Sequence, residues 1–149
     1  MISMIAIGKR HEAWIADGVE RYSKRLHGPW KLNWVLLPHS PYEGLQARQD
    51  ESQRILARLN PNDAVVLLDE KGRMLDSPSL ARQFEGLQAT GRRIVCIIGG
   101  AYGVTDEVLE RANFVWSLSP LVFPHQLVRL IVAEQLYRAQ CITSNHPYH

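Results

Sequence analysis

Several patterns that would assign a function quickly are missing from this chain. No G-x-G-x-x-G follows its first apolar run and no G-x-x-x-x-G-K-[ST] occurs anywhere, so a dinucleotide or triphosphate site of the usual kind is not expected. There is no G-x-S-x-G elbow for a serine hydrolase. The six histidines are scattered, without a pair at helical spacing beside a carboxylate, so no metal site is expected. Cysteine is scarce: Cys96 lies inside an apolar run and Cys141 near the end of the last predicted helix, and both read as packed thiols rather than as a disulfide or metal framework. Charge is nearly balanced at a net +2, which by itself implies no partner. No apolar run reaches the length of a membrane span, and no membrane partner is expected. The N-terminal MISMIAIGKRH has its apolar run before its basic residues, the reverse of a secretory leader, so Ile2 to Ile7 reads as a buried strand and the protein as cytoplasmic.

What is present suits a globular domain. The 149 residues fit a single domain over 1–149, and 46% apolar with 21% charged residues is ordinary for one. Apolar runs predict strands at Ile2–Ile7, Lys31–Leu37, Asp63–Asp69, Arg93–Ile98 and Asn113–Leu118. Helical periodicity predicts helices between them. Glu12–Leu26 carries Ile15, Val19, Tyr22 and Leu26 on one stripe. Leu45–Leu59 is mostly polar and reads as peripheral, with Leu45, Ile55, Leu56 and Leu59 buried. Pro78–Gln88 follows a Ser77 cap and presents Leu80, Phe84 and Leu87. Thr105–Asp106–Glu107 open a short helix, and Pro124 starts a final one reaching about Gln140. Glu70, Lys71, Gly72 and Arg73 read as a turn. Strands alternating with helices give an α/β fold, a parallel-type sheet covered by helices on both faces.

Four features of the C-terminal third call for an explanation. Gly99, Gly100 and Gly103 follow a buried strand directly, where open α/β sheets place ligands, although glycines in such a loop also serve as a plain tight turn. The loop Leu118–Ser119–Pro120–Leu121–Val122–Phe123–Pro124 is mostly apolar, and an apolar surface loop needs a cover: a ligand, a second subunit or the fold itself. The last helix is apolar nearly all round between Leu127 and Leu136, which suggests a subunit interface; Arg129, Glu134 and Arg138 are paired, site-facing or solvated. The tail Thr143–His149 concentrates His146, Tyr148 and His149, with Pro147 stiffening it, and offers proton exchange near neutral pH and stacking on a base. Upstream, Lys9, Arg10, Arg21, Lys24, Arg25 and Lys31 cluster in sequence and read either as a solvated face or as a phosphate-binding one.

IIGGAYG, WSLSPLVFPHQLVRLIVAEQLYRA and the NHPYH ending together resemble the ribosomal RNA large subunit methyltransferase H family of the SPOUT superfamily, over essentially the whole chain. The resemblance implies a C-terminal trefoil knot, a homodimer with its site at the subunit interface, and S-adenosylmethionine-dependent methylation of N3 of a pseudouridine in helix 69 of 23S ribosomal RNA within the ribosome. It implies cofactor contacts at Leu68, Gly99, Leu118, Ser119, Pro120, Leu121, Val122 and Phe123, with Gly100 and Gly103 shaping the same wall. Arg129, His146, Tyr148 and His149 are expected to hold the nucleotide, and His125 is either part of the site or structural. Relatives commonly carry Pro-Glu where Ala101–Tyr102 stands here, and often continue with a basic residue past the position of His149, so a phosphate contact by that residue is expected to be lost or replaced. The competing readings are a knotted methyltransferase of transfer RNA and a non-catalytic RNA- or ribosome-binding module.

Overall fold

The computed structural model describes residues 1–148. Five strands, β1 (Ile2–Ile7), β2 (Leu32–Leu37), β3 (Ala64–Met74), β4 (Ile94–Ile98) and β5 (Phe114–Ser117), form one sheet in the order β2-β1-β4-β3-β5, with every pairing parallel. The helices are α1 (Ala13–Ser23), α2 (Gly44–Leu56), α3 (Ser77–Ala89), α4 (Asp106–Arg111) and α5 (His125–Thr143). A parallel sheet buried on both faces needs strands that are apolar throughout, and β1 and β4 are buried along their whole length. Alternate residues serve opposite layers. Met4, Ala6, Val66, Cys96 and Ile98 pack with residues of α3 and α5, while Ile5, Ile7, Val65, Leu67, Val95 and Ile97 pack with Ile55 of α2 and Val108 of α4.

Two departures from the sequence reading shape the functional edge. Glu70–Arg73 is not a terminating turn. β3 runs alongside β5 as far as Leu68, bulges over residues 69–72, and rejoins it at Arg73 opposite Trp116 and Met74 opposite Ser117. The crossing is so close that a Cβ on Gly72 would sit 2.6 Å from the Val115 carbonyl oxygen, so only glycine fits there. Helix α2 also buries a different face. Ala47, Glu51, Ser52 and Ile55 are buried, whereas Leu45 is 63% exposed. The 47/51/55 spacing puts one stripe against the sheet, and the polar residues within it have specific partners.

Smaller shifts concern helix ends. Asp76 rather than Ser77 caps α3, its Oδ1 accepting the Ser79 amide at 2.8 Å. Helix α5 runs on to Thr143 and ends in a Schellman turn. Asn145 takes φ 58°, the His146 amide donates to the Cys141 carbonyl at 2.8 Å, and the Asn145 amide to that of Ile142 at 3.3 Å. Helix α5 is flanked by α1 and α3, so much of its apolar surface is covered within one chain. Leu127 and Ile131 are the exceptions: both are half-buried and belong to none of the core clusters. With Glu134 and Arg138 they form a stripe at helical spacing.

Candidate active site

All five strands point their C-terminal ends at one edge, so the loops that follow them converge there. Between the ends of β3, β4 and β5 lies a cavity of about 830 Å³, within the usual size for a small-molecule site. Of the residues expected from sequence to contact a cofactor, Leu68, Gly99, Gly100, Gly103, Leu118, Ser119, Leu121, Val122 and Phe123 line it; Pro120 does not. Ile98, Trp116, Val128 and His125 also line it, as do the charged residues Arg48, Asp69, Glu70, Lys71 and Asp106.

The loop after β5 is built by its serines. Ser119 Oγ accepts the Leu121 amide at 3.1 Å and Ser117 Oγ donates to the Ser119 carbonyl at 3.1 Å. Among the described residues the amides of Val122 and Phe123 have no protein acceptor. Leu121 and Val122 are 69% and 78% exposed. The result is an apolar lip with free backbone donors, suited to a flat heteroaromatic ring that needs both burial and edge hydrogen bonds.

The glycine loop closes on itself, with the Gly103 amide donating to the Gly100 carbonyl at 3.1 Å. It is held from outside by α2. Arg48 Nε donates to the Tyr102 carbonyl at 2.7 Å, and Ser52 Oγ accepts the Thr105 amide at 3.0 Å. Glu51 is 3% exposed; its Oε2 accepts the Ser40 amide at 2.9 Å, while Oε1 has no partner and would meet a Cβ on Gly100 at 2.8 Å. Sequence reading passed over Arg48, Glu51 and Ser52. The available signal was a polar pair on the same helical face as Ala47 and Ile55.

Arg129 is fully buried. It does not reach into solvent towards a nucleotide; its guanidinium donates to the carbonyls of Ile7 at 2.7 Å, Gly8 at 3.3 Å and Arg10 at 3.1 Å, and lies 3.2 Å from His11 Nδ1. In this structure it is a positioning residue that fixes the loop after β1. Burial, followed by the nearby charges of Arg129 and His39, holds His125 below the ordinary imidazole value.

Within one chain residues 143–148 lie away from the cavity. Tyr148 donates its hydroxyl to Glu134 Oε2 at 2.9 Å, the Arg138 guanidinium sits 4.7 Å from its ring centroid, and its ring is 4.9 Å from that of Tyr137. Glu134 is nine residues beyond His125, roughly 14 Å along a helix at 1.5 Å per residue. Burial, reinforced by the bond to Glu134, pushes the Tyr148 hydroxyl up to about 12, so it stays a proton donor at neutral pH rather than exchanging protons there. His146 is exposed, and His149 lies outside the described residues.

This sequence and fold have known counterparts. The chain belongs to the SPOUT methyltransferase family: the family model described as "Predicted SPOUT methyltransferase" matches residues 1–149. It is 45% identical over 150 residues to Ribosomal RNA large subunit methyltransferase H of Xylella fastidiosa (strain 9a5c), covering 98% of this chain and 95% of that protein. The protein of the same name from Xanthomonas campestris pv. campestris (strain B100) is also 45% identical, with 98% and 96% covered. A crystal structure of a methylase family protein from Neisseria gonorrhoeae shares the fold at a TM-score of 0.53 and 14% identity, covering 91% of this chain and 81% of that one.

Proposed function

We propose that the chain is a single-domain cytoplasmic enzyme that uses S-adenosylmethionine to methylate N3 of a pseudouridine in helix 69 of 23S ribosomal RNA. The observation that carries this reading is the cavity at the ends of β3, β4 and β5, with its apolar lip and unpaired amides at Val122 and Phe123. These features fit the cofactor: Leu68, Leu118, Leu121 and Phe123 offer an apolar slot for adenine, and the loop amides offer donors to its ring edge. Family membership supports the same reading and implies that the loop is part of a C-terminal trefoil knot. When bound, the cofactor supplies an electrophilic methyl group on a sulfonium.

The chain's own residues have three tasks. The loop 118–123 and the glycine loop hold the donor in line with the acceptor nitrogen. The tail, with His146, Tyr148 and His149, holds the nucleotide, and Arg129 contributes indirectly by fixing the loop after β1. As N3 gains a methyl group it loses its proton, and His125, which lines the cavity and favours its neutral form, is placed to accept it. Because tail and cavity lie apart in one chain, the active unit is a homodimer in which one tail reaches the partner's cavity. Leu127 and Ile131 of α5 and the exposed Leu121 and Val122 supply an apolar face for such an isologous contact, with the Glu134–Arg138 pair beside it.

The test is transfer of a labelled methyl group from S-adenosylmethionine to ribosomes, to isolated 23S ribosomal RNA and to transfer RNA, with the product nucleoside identified. Label on a pseudouridine of ribosomal RNA is expected. Label on transfer RNA alone would replace the substrate. Failure to bind the cofactor at millimolar concentration would contradict the enzyme reading and leave an RNA-binding module.

A further inference from the structure

A second cleft, of about 290 Å³, opens on the same edge of the sheet at the ends of β1 and β2, lined by Gly8, Lys9, Arg10, Pro38, His39 and Gln126. It adjoins the cofactor cavity. His125 lines the cavity, Gln126 lines the cleft, and the rings of His39 and His125 are 6.0 Å apart across the boundary. We infer that this cleft is the subsite for a backbone phosphate of the acceptor RNA strand, with Lys9 and Arg10 as its cations and His39 as its inner wall; the inference rests on the methyltransferase reading and names where the acceptor strand lies.

Four observations converge. Lys9 and Arg10 are exposed, and neither has a carboxylate partner among the described residues. The loop that carries them is rigidly held: Arg129 binds three of its carbonyls, Gln126 Nε2 donates to the Arg10 carbonyl at 3.2 Å, and Gln126 Oε1 accepts the Glu12 amide at 3.0 Å. Gly8 turns the loop at φ 118°, and a Cβ there would lie 3.0 Å from Arg129 Nη2 and 3.2 Å from His39 Nε2, so the cleft floor is built around the missing side chain. The 19-residue helix α5 begins beside the cleft without a side-chain cap, presenting the positive end of its dipole. A fixed anion site next to the cavity suits an RNA loop whose target base is splayed into the cavity while its backbone stays outside.

The inference also divides the basic residues that cluster in sequence. Lys24 caps α1 and Lys31 precedes β2, so both lie at the opposite edge of the sheet from Lys9 and Arg10. The experiment measures binding of a hairpin RNA with a pseudouridine-containing loop at several salt concentrations, for the wild type, the K9A/R10A variant and the K24A/K31A variant. Cofactor affinity is measured by calorimetry on the same samples. Loss of one neutralised phosphate is expected to lower the slope of log affinity against log salt by about 0.7 in K9A/R10A, the single-strand value per phosphate. Affinity should fall by at least about tenfold there with cofactor affinity unchanged, and K24A/K31A should keep the wild-type slope. An unchanged slope in K9A/R10A, equal losses in the two variants, or no RNA binding by the wild type would overturn the assignment. A wild type that binds the RNA but no cofactor would overturn the methyltransferase reading instead, and the slopes would still decide the cleft.

Discussion

The two edges of the sheet are made of similar residues and arranged to opposite ends. At the N-terminal edge Asp63 is the centre of a fully paired cluster. Asp63, 2% exposed, accepts from Arg93 at 3.0 and 2.6 Å and from the Asn60 amide at 2.7 Å. Its carbonyl takes Arg92 and Arg111 at 2.9 and 3.1 Å. At the C-terminal edge, among the described residues, Glu51 Oε1, Thr105 Oγ1 and Arg129 Nε are buried without a partner, Lys9 and Arg10 have no carboxylate partner, and two openings adjoin. Ser23 Oγ and Gln88 Nε2 are buried without a partner at the first edge too, so the edges differ in their charged groups and openings: an unpaired buried charge costs more than an unpaired neutral group. The difference separates a closed edge from a candidate binding edge.

The comparison can be broken most forcefully at Gly100. In Gly100→Val the new side chain meets Glu51 Oε1 and Ile7, and the loop must move into the cavity. Affinity for S-adenosylmethionine is expected to fall about 100-fold, close to 2.8 kcal/mol; calorimetry showing less than a threefold loss would mean that the glycine loop is not a wall of the site. Next is Asp63→Ala at the other edge. It should cost about 2–3 kcal/mol of stability, from lost charged hydrogen bonds, and lower the melting temperature by about 4–12 °C without changing cofactor affinity in the folded protein.

Charge removal sharpens the contrast. Glu51→Gln takes away a buried carboxylate whose Oε1 has no partner, and is expected to raise stability by up to about 1 kcal/mol in a denaturant titration. Asp63→Asn should lower it, and equal effects would erase the distinction between the edges.

The smallest effect is in pH. His11 and His125 are both held below 6.5 by burial, then by Arg129, so the unfolded chain binds more protons than the native one in the window below 6.5. Their contribution to stability is complete above 6.5 and declines as pH falls towards their folded values. The Arg93 bond holds Asp63 below the usual carboxylate range, so its contribution persists through that window and is lost only below pH 3.8. Replacing both histidines with asparagine should flatten the first decline and leave the second.

Much of the fold was readable because strands buried on both faces cannot hide: IVCII and AVVLL have no other use. The glycine loop and the apolar loop were legible for the same reason, since exposed apolar residues after a strand need a cover. The α2 anchors were not. Glu51 reads as one more acid in a polar helix until the sheet is placed against it. The Glu70–Arg73 bulge failed because a local turn signal gave way to pairing with β5, a contact some 40 residues distant. The early basic residues were not legible as two groups, because α1 carries Lys24 to the edge opposite Lys9 and Arg10. For Arg129, no periodicity distinguishes an arginine that reaches outwards from one folded back onto three carbonyls.

Amide hydrogen exchange with and without S-adenosylmethionine tests the central claim most directly, because it reads both edges in one experiment. The account predicts that the cofactor slows exchange in 98–104 and 117–123 and leaves Asn60–Ala64 and Arg92–Arg93 unchanged. Protection at the Asp63 edge, or none in the two loops under saturating cofactor, would contradict it.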